Sequence, residues 1–129
     1  MIRLIADTNI FLRFLLKDNP RQYVQARAVF ARVKEKKIEL IIPQIVIFEI
    51  AFALDKYYGF PKQKIIEGLQ TIIAGSDTNI EDHQVFKKAL DIYNQRNISF
   101  VDCFLDAYSK EHDAEIFTFD KNLKKLAKT

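Results

Sequence analysis

The chain of 129 residues has one cysteine, Cys103, with only three glycines and three prolines. A lone thiol excludes an internal disulfide framework and a multi-cysteine metal site, so structure must come from packing and a reducing compartment is the natural setting. The scarcity of Gly and Pro fits a helix-rich chain. Neither a P-loop nor a G-x-S-x-G elbow is present, and nothing points to a serine or cysteine nucleophile. The two histidines, His83 and His112, lie far apart in polar helical contexts and read as surface residues, not metal ligands. Long apolar runs are also missing. The most apolar region, IELIIPQIVIFEIAFAL (38–54), is interrupted at Pro43, Gln44 and Glu49, so it never offers the ~18 uninterrupted apolar residues of a membrane span. The opening MIRLIAD has a short apolar stretch cut off at Asp7, far less than a signal-peptide core, which points to a cytoplasmic protein.

What remains is a chain able to bury a core. Its length suits one domain over residues 1–129, burying roughly two thirds of the surface the unfolded chain would expose. Lys+Arg of 20 against Asp+Glu of 17 gives a net charge of +3, which permits a nucleic-acid partner without requiring one. IRLIA (2–6) and IELII (38–42) read as buried strands, the first running into the turn D-T-N and the second ending at Pro43. A short helix is expected over 9–16 and a second from Pro20 through Val33. A third starts after Pro43, carries Glu49 and ends at Gly59-Phe60-Pro61. Another runs to Ile73, GSDTN (75–79) is turn chemistry, and a very short extended piece lies near Ile80. Residues 81–95 form a helix by apolar spacing, another begins near Asp102, EIFTF (115–119) is a last strand, and KNLKKLAK is a short basic helix. Strands alternating with helices predict an α/β domain with a parallel sheet, whose functional crevice lies beyond the carboxyl ends of the strands.

Four acids stand in apolar company. IVIFEIAFAL (45–54) holds a single carboxylate, Glu49, and no Lys, Arg or His to compensate it. Either Glu49 follows a wet edge of a mostly buried helix, or it stays protonated, or something elsewhere in the chain balances it. Asp7 follows IRLIA and Asp120 follows EIFTF, so both belong to the carboxyl edge of the sheet; Asp102 lies in SFVDCFL at a helix start. Helix capping is a sufficient explanation for each of the three aspartates taken singly, but not for Glu49. Four carboxylates converging in one crevice would repel, and a divalent cation resolves the repulsion. Hard oxygen donors without clustered His or Cys select Mg²⁺ or Mn²⁺. Such a site suits phosphodiester hydrolysis, because a bound cation eases deprotonation of water and offsets charge on the phosphate. A phosphoaspartyl mechanism is the competitor. Haloacid-dehalogenase-like phosphatases need a second Asp where this chain has Asn9, and receiver domains need paired acids where Asp7 stands alone.

The series IADTNIFLRFLL, IVIFEIAFAL, SFVDCFLDAYSKE and IFTFDKNLKKL resembles the PIN-domain ribonucleases, especially the toxin subunits of VapBC-type toxin–antitoxin pairs, over almost the whole chain. The resemblance implies that Asp7, Glu49, Asp102 and Asp120 are the acidic quartet binding Mg²⁺ or Mn²⁺. It makes Thr8, Asn9 and Thr118 polar companions that hydrogen-bond those carboxylates. It further implies a parallel sheet of order 3-2-1-4, sometimes with a fifth strand, flanked by helices. Dimerisation, endonucleolytic cleavage of RNA and silencing by a cognate antitoxin also follow from the resemblance alone.

Asp106 departs from that pattern, since the family usually has a small or apolar residue four positions after the third acid. One helical turn beyond Asp102, it could support the metal site from its outer shell, or be an exposed aspartate or a salt-bridge partner of Arg13 or a nearby lysine. Most of the basic residues read as solvated helix faces. Arg13, one turn beyond Asn9, is the candidate to hold a phosphate or an inhibitory partner's carboxylate, and the tail beginning at Lys121 is the second candidate for RNA or antitoxin contact. A PIN-type module that binds RNA or protein without catalysis remains the alternative to a nuclease.

Overall fold

IRLI and IELII pair in parallel as β1 (Ile2–Ile5) and β2 (Ile38–Ile42), with Ile2 opposite Ile38 and Ile5 opposite Ile41. The computed structural model describes residues 1–129. Parallel neighbours need a long crossover, here a helical hairpin of α1 (Thr8–Leu16) and α2 (Pro20–Lys34). Pro20 occupies the first turn of α2, where its missing N–H is no loss, and Asn19 Oδ1 caps the helix by accepting from Gln22 N at 3.1 Å. Phe14 fastens the hairpin, lying 4.6 Å from Phe30 edge-to-face and 5.8 Å from Tyr23 in a stack.

A second crossover is built from α3 (Gln44–Phe52), a π-helical turn (Ala53–Tyr57) and α4 (Lys62–Ile73). In the π-turn Tyr58 N donates to Ala53 O at 2.9 Å, five residues back. Gly59 follows with φ of +63°, a region that strains residues with a Cβ, and so ends the helix. The chain returns as β3 (Asn79–Ile80), parallel to β2 with Ile42 opposite Ile80, giving the spatial order β1-β2-β3. Ile42, Ile47, Ile50, Leu69 and Phe11 are fully buried around this layer, each contributing roughly 1.5–3 kcal/mol by leaving water. On the wet side Glu39 ties the three strands together. Its carboxylate accepts from Asn79 Nδ2 at 3.1 Å and from Arg3 Nε at 3.1 Å, and these bonds, Asn79 first, hold it below the usual carboxylate range.

The chain divides into two compact units, Met1–Glu81 and Asp82–Thr129. The second consists of α5 (His83–Gln95), α6 (Phe100–Glu111) and α7 (Lys121–Ala127). Phe86 of α5 meets Phe104 of α6 at 4.8 Å and Tyr93 meets Phe100 at 5.6 Å, while Leu123 and Leu126 bury the inner face of α7. No helix of the protein is long and apolar enough to cross a membrane.

The order 3-2-1 is as expected, but the fourth strand is not formed. EIFTF (115–119) makes no ladder, and Phe117 and Phe119 are 90% and 86% exposed. Strand character in a sequence becomes a strand only where a neighbour takes its N–H and C=O groups and a surface covers its apolar face, and this segment has neither. No fifth strand forms either. β1 is likewise not the buried strand expected: it is an edge strand with exposed side chains, Ile5 at 71%. The α6 helix begins at Phe100, two residues before Asp102, because Ser99 is its cap.

Candidate active site

Asp7 lies two residues past β1 and caps α1, Oδ1 accepting from Ile10 N at 3.3 Å. Capping uses one carboxylate oxygen and leaves the other without a partner on an exposed residue. Asp7 lines a pocket of about 280 Å³ together with Asn9 and Arg13 of α1 and Gln22 and Gln25 of α2. Arg13 is held from two sides: Nη1 donates to Asp18 Oδ2 at 3.0 Å and Nη2 to Tyr58 Oη at 2.8 Å. Its Nε is buried with no acceptor. Thr8, beside Asp7, is half-buried.

Glu49 sits on α3 between Ile45 and Phe52, which are 62% and 66% exposed. Positions 45, 49 and 52 share one face of a helix, so the apolar company of Glu49 runs along the sequence and does not enclose the carboxylate. The residue is exposed, the wet edge among the sequence's alternatives, and no cation pairs with it.

In the second unit Asp102 is the third residue of α6, its N–H donating to Ser99 Oγ at 3.2 Å, and its half-buried carboxylate has no salt-bridge partner. Asp120 caps α7, Oδ1 accepting from Leu123 N at 2.8 Å. Thr118 Oγ1 accepts from Asp120 N at 3.0 Å, so it holds the backbone at that aspartate where a bond to a carboxylate was expected. Lys121 opens α7 and is exposed. Asp106 is 1% exposed, with Oδ2 accepting from Lys110 Nζ at 3.0 Å and Oδ1 buried without a partner. Of the readings the sequence left open, the nearby-lysine salt bridge is the one formed.

Asp7, Asn9 and Arg13 thus line one pocket; Glu49, on α3, belongs to the same unit, and Asp102, Asp106 and Asp120 belong to the second. Within neither unit do three acidic, histidine or cysteine side chains gather at metal-holding distance. The donor set nevertheless has the right chemistry for a hard cation. Asp7, Glu49, Asp102 and Asp120 offer carboxylate oxygens with no Lys or Arg against them, in contrast to Asp18, Glu39 and Asp106, which are paired.

The family model of the PIN domain matches residues 4–129. The chain belongs to the PIN-domain family. Asp7, Glu49, Asp102 and Asp120 all fall within the matched span. This PIN-domain chain is 26% identical over 123 residues to a VapC ribonuclease of Aquifex aeolicus (strain VF5), covering 95% of the chain and 90% of that protein. It is also similar to the crystal structure of Mycobacterium tuberculosis VapC20, a sarcin-ricin loop cleaving toxin, at 16% identity and a TM-score of 0.45, over 94% of this chain and 92% of that one.

Three residues at the PIN-domain pocket escape a reading of the sequence alone. Gln22 and Gln25 have a faint signal, since with Ala26 and Val29 they share one face of α2 at helical spacing. Tyr58 has none, because its meeting with Arg13 spans 45 positions and depends on the π-turn.

Proposed function

We propose that this PIN-domain protein is a metal-dependent endoribonuclease, the toxin of a type II toxin–antitoxin pair. Asp7, Glu49, Asp102 and Asp120 are its metal-binding carboxylates. The observation that carries the reading is the near full-length similarity to a VapC ribonuclease. The four acids without cationic partners agree with it. Mg²⁺ or Mn²⁺ held there would supply an activated water and offset the charge developing on the scissile phosphate.

The chain's own groups have separate tasks. Asp7 and Asp120 each keep one oxygen on a helix N-terminus, which fixes the carboxylate and leaves the second oxygen for a cation. Asn9 stands beside Asp7 to orient it, and Thr118 sets the backbone from which Asp120 projects. Lys121, with Lys124 and Lys125 of the same basic helix, meets the RNA backbone. Asp106 is left out of the metal-binding set because Lys110 already neutralises it. The partners are RNA, a cognate antitoxin protein and a second copy of the chain, in the cytoplasm.

The test is cleavage of a labelled single-stranded RNA by the purified chain with Mg²⁺ or Mn²⁺, and again in excess EDTA. Internal cuts that vanish on chelation and return with added metal support the reading. RNA bound but left whole at every metal concentration would favour the non-catalytic module.

A further inference from the structure

The pocket beside Asp7 is lined in part by groups to which the metal-dependent reaction gives no task, Gln22, Gln25 and Arg13. Asn9, Gln22 and Gln25 bring three side-chain amides to it, none bonded to another protein group, and Arg13 Nε is a buried donor without an acceptor. The remaining walls are apolar, from Ile10, Ala26 and Val29.

Charge decides which occupant. Arg13 is the only cation at the pocket and already faces Asp18 at 3.0 Å, while Asp7 adds a further negative charge. Arg13, Asp18 and Asp7 together sum to one negative charge, which disfavours a phosphate. A neutral planar heterocycle suits the pocket better. Its face can lie on the apolar wall while its edge meets amides, the groups that pair bidentately with base edges. Unstacked bases of single-stranded RNA are read in this way.

We propose that the α1–α2 pocket is a nucleobase subsite, which accepts the base of a nucleotide next to the scissile phosphate and gives the enzyme its base preference. Gln22 and Gln25 read the base edge with Asn9 beside them, and Asp18 and Tyr58 hold the Arg13 guanidinium at the pocket wall. The proposal rests on the nuclease reading for its biological role, but the binding it asserts does not.

Two measurements test it. In EDTA, titration with adenosine, guanosine, cytidine and uridine, each without phosphate, is followed by NMR at the side-chain amides of Gln22 and Gln25. One nucleoside should shift these resonances more than the others. Inorganic phosphate should not shift them, and in Gln22→Leu/Gln25→Leu the nucleoside should no longer shift the Asn9 side-chain amide, which lines the same pocket. Shifts with phosphate alone, or with no nucleoside up to its solubility, overturn the subsite. On a randomised RNA with metal present, the wild type should prefer one base at a fixed position near the cut, and the double variant should lose roughly 5- to 100-fold of that preference. An unchanged preference in a double variant with native melting behaviour overturns the proposal. A wild type that cuts no RNA defeats the nuclease reading, and the nucleoside titration still decides the subsite.

Discussion

Replacing Lys110 by methionine leaves the Asp106 carboxylate with nothing to balance it. Asp106 is 1% exposed and Oδ1 already lacks a partner, so the 3.0 Å contact from Lys110 Nζ is its one compensation from another side chain. Removing one partner from a fully buried pair costs roughly 3–5 kcal/mol, whereas an exposed i,i+4 pair contributes about 0.3–0.5. Lys110 is 53% exposed, so this pair lies between the two limits. We expect Lys110→Met to lose about 2 kcal/mol. Methionine keeps the apolar stem and helix propensity, so the loss reports the charge. Asp106→Asn removes the buried charge itself and should lose about 1 kcal/mol or less, and in the Lys110→Met background it should restore stability. Urea denaturation of the four proteins measures the coupling. A loss under about 0.5 kcal/mol for Lys110→Met, or no rescue by Asp106→Asn, refutes the pairing as the reason for the buried carboxylate. A functional arm separates the other role. If Asp106 only serves Lys110, Asp106→Asn leaves the metal concentration for half-maximal cleavage unchanged; a rise of ~10-fold or more would place Asp106 in the outer shell of the cation.

Asp7→Asn and Asp120→Asn keep a good helix cap while removing charge, so metal affinity and cleavage should fall by two orders of magnitude or so with melting nearly unchanged, whereas the alanine variants should also lose ~1 kcal/mol each; calorimetric metal titration and thermal melts check both. Glu49→Gln should eliminate most cleavage without destabilising the metal-free fold, since the side chain is exposed; unchanged turnover would make it a surface glutamate only. Glu39 has its carboxyl pKa lowered in the folded chain, first by Asn79 and then by Arg3. Its contribution is therefore fully present above the unfolded pKa and lost as pH falls through the folded one, and Asn79→Ala should move the Glu39 titration upward in carboxyl-detected NMR.

Legibility in the sequence followed how local each cause is. β2 and the start of α2 were plain because the short apolar run IELII, ended by Pro43, and Pro20 in a first helical turn act within a few residues. The caps at Asp7 and Asp120 were visible for the same reason. EIFTF misled because strand pattern records a capacity to pair, and pairing is decided by residues distant in sequence. Glu49 was left open for a related reason: nine apolar neighbours along the chain say nothing of which helix face it occupies, and the wet edge is one of the alternatives they allow. Asp106 and Lys110 were within reach, since an acid four residues before a base is a local signal, but burial of the acid was not. The bond from Arg13 to Tyr58 was beyond reach.

The π-turn at Ala53–Tyr57 makes chain length itself a determinant of the pocket. An i→i+5 turn accommodates one residue more than the α-helix around it, so deletion of a single residue there would let the helix continue in α register. Because the wider turn absorbs the extra residue, closing it displaces the downstream backbone less than a deletion from a continuous α-helix would, but it re-aims the side chains of the turn and of Tyr58 at its end. Tyr58 would leave the Arg13 guanidinium, which then keeps Asp18 as its sole anchor. Insertions and deletions at an exposed helix end are ordinarily among the gentlest changes a lineage can accumulate. Here one would reach the hydroxyl that steadies Arg13 at the pocket wall, so the length of this turn carries a constraint that its place at a helix end does not suggest.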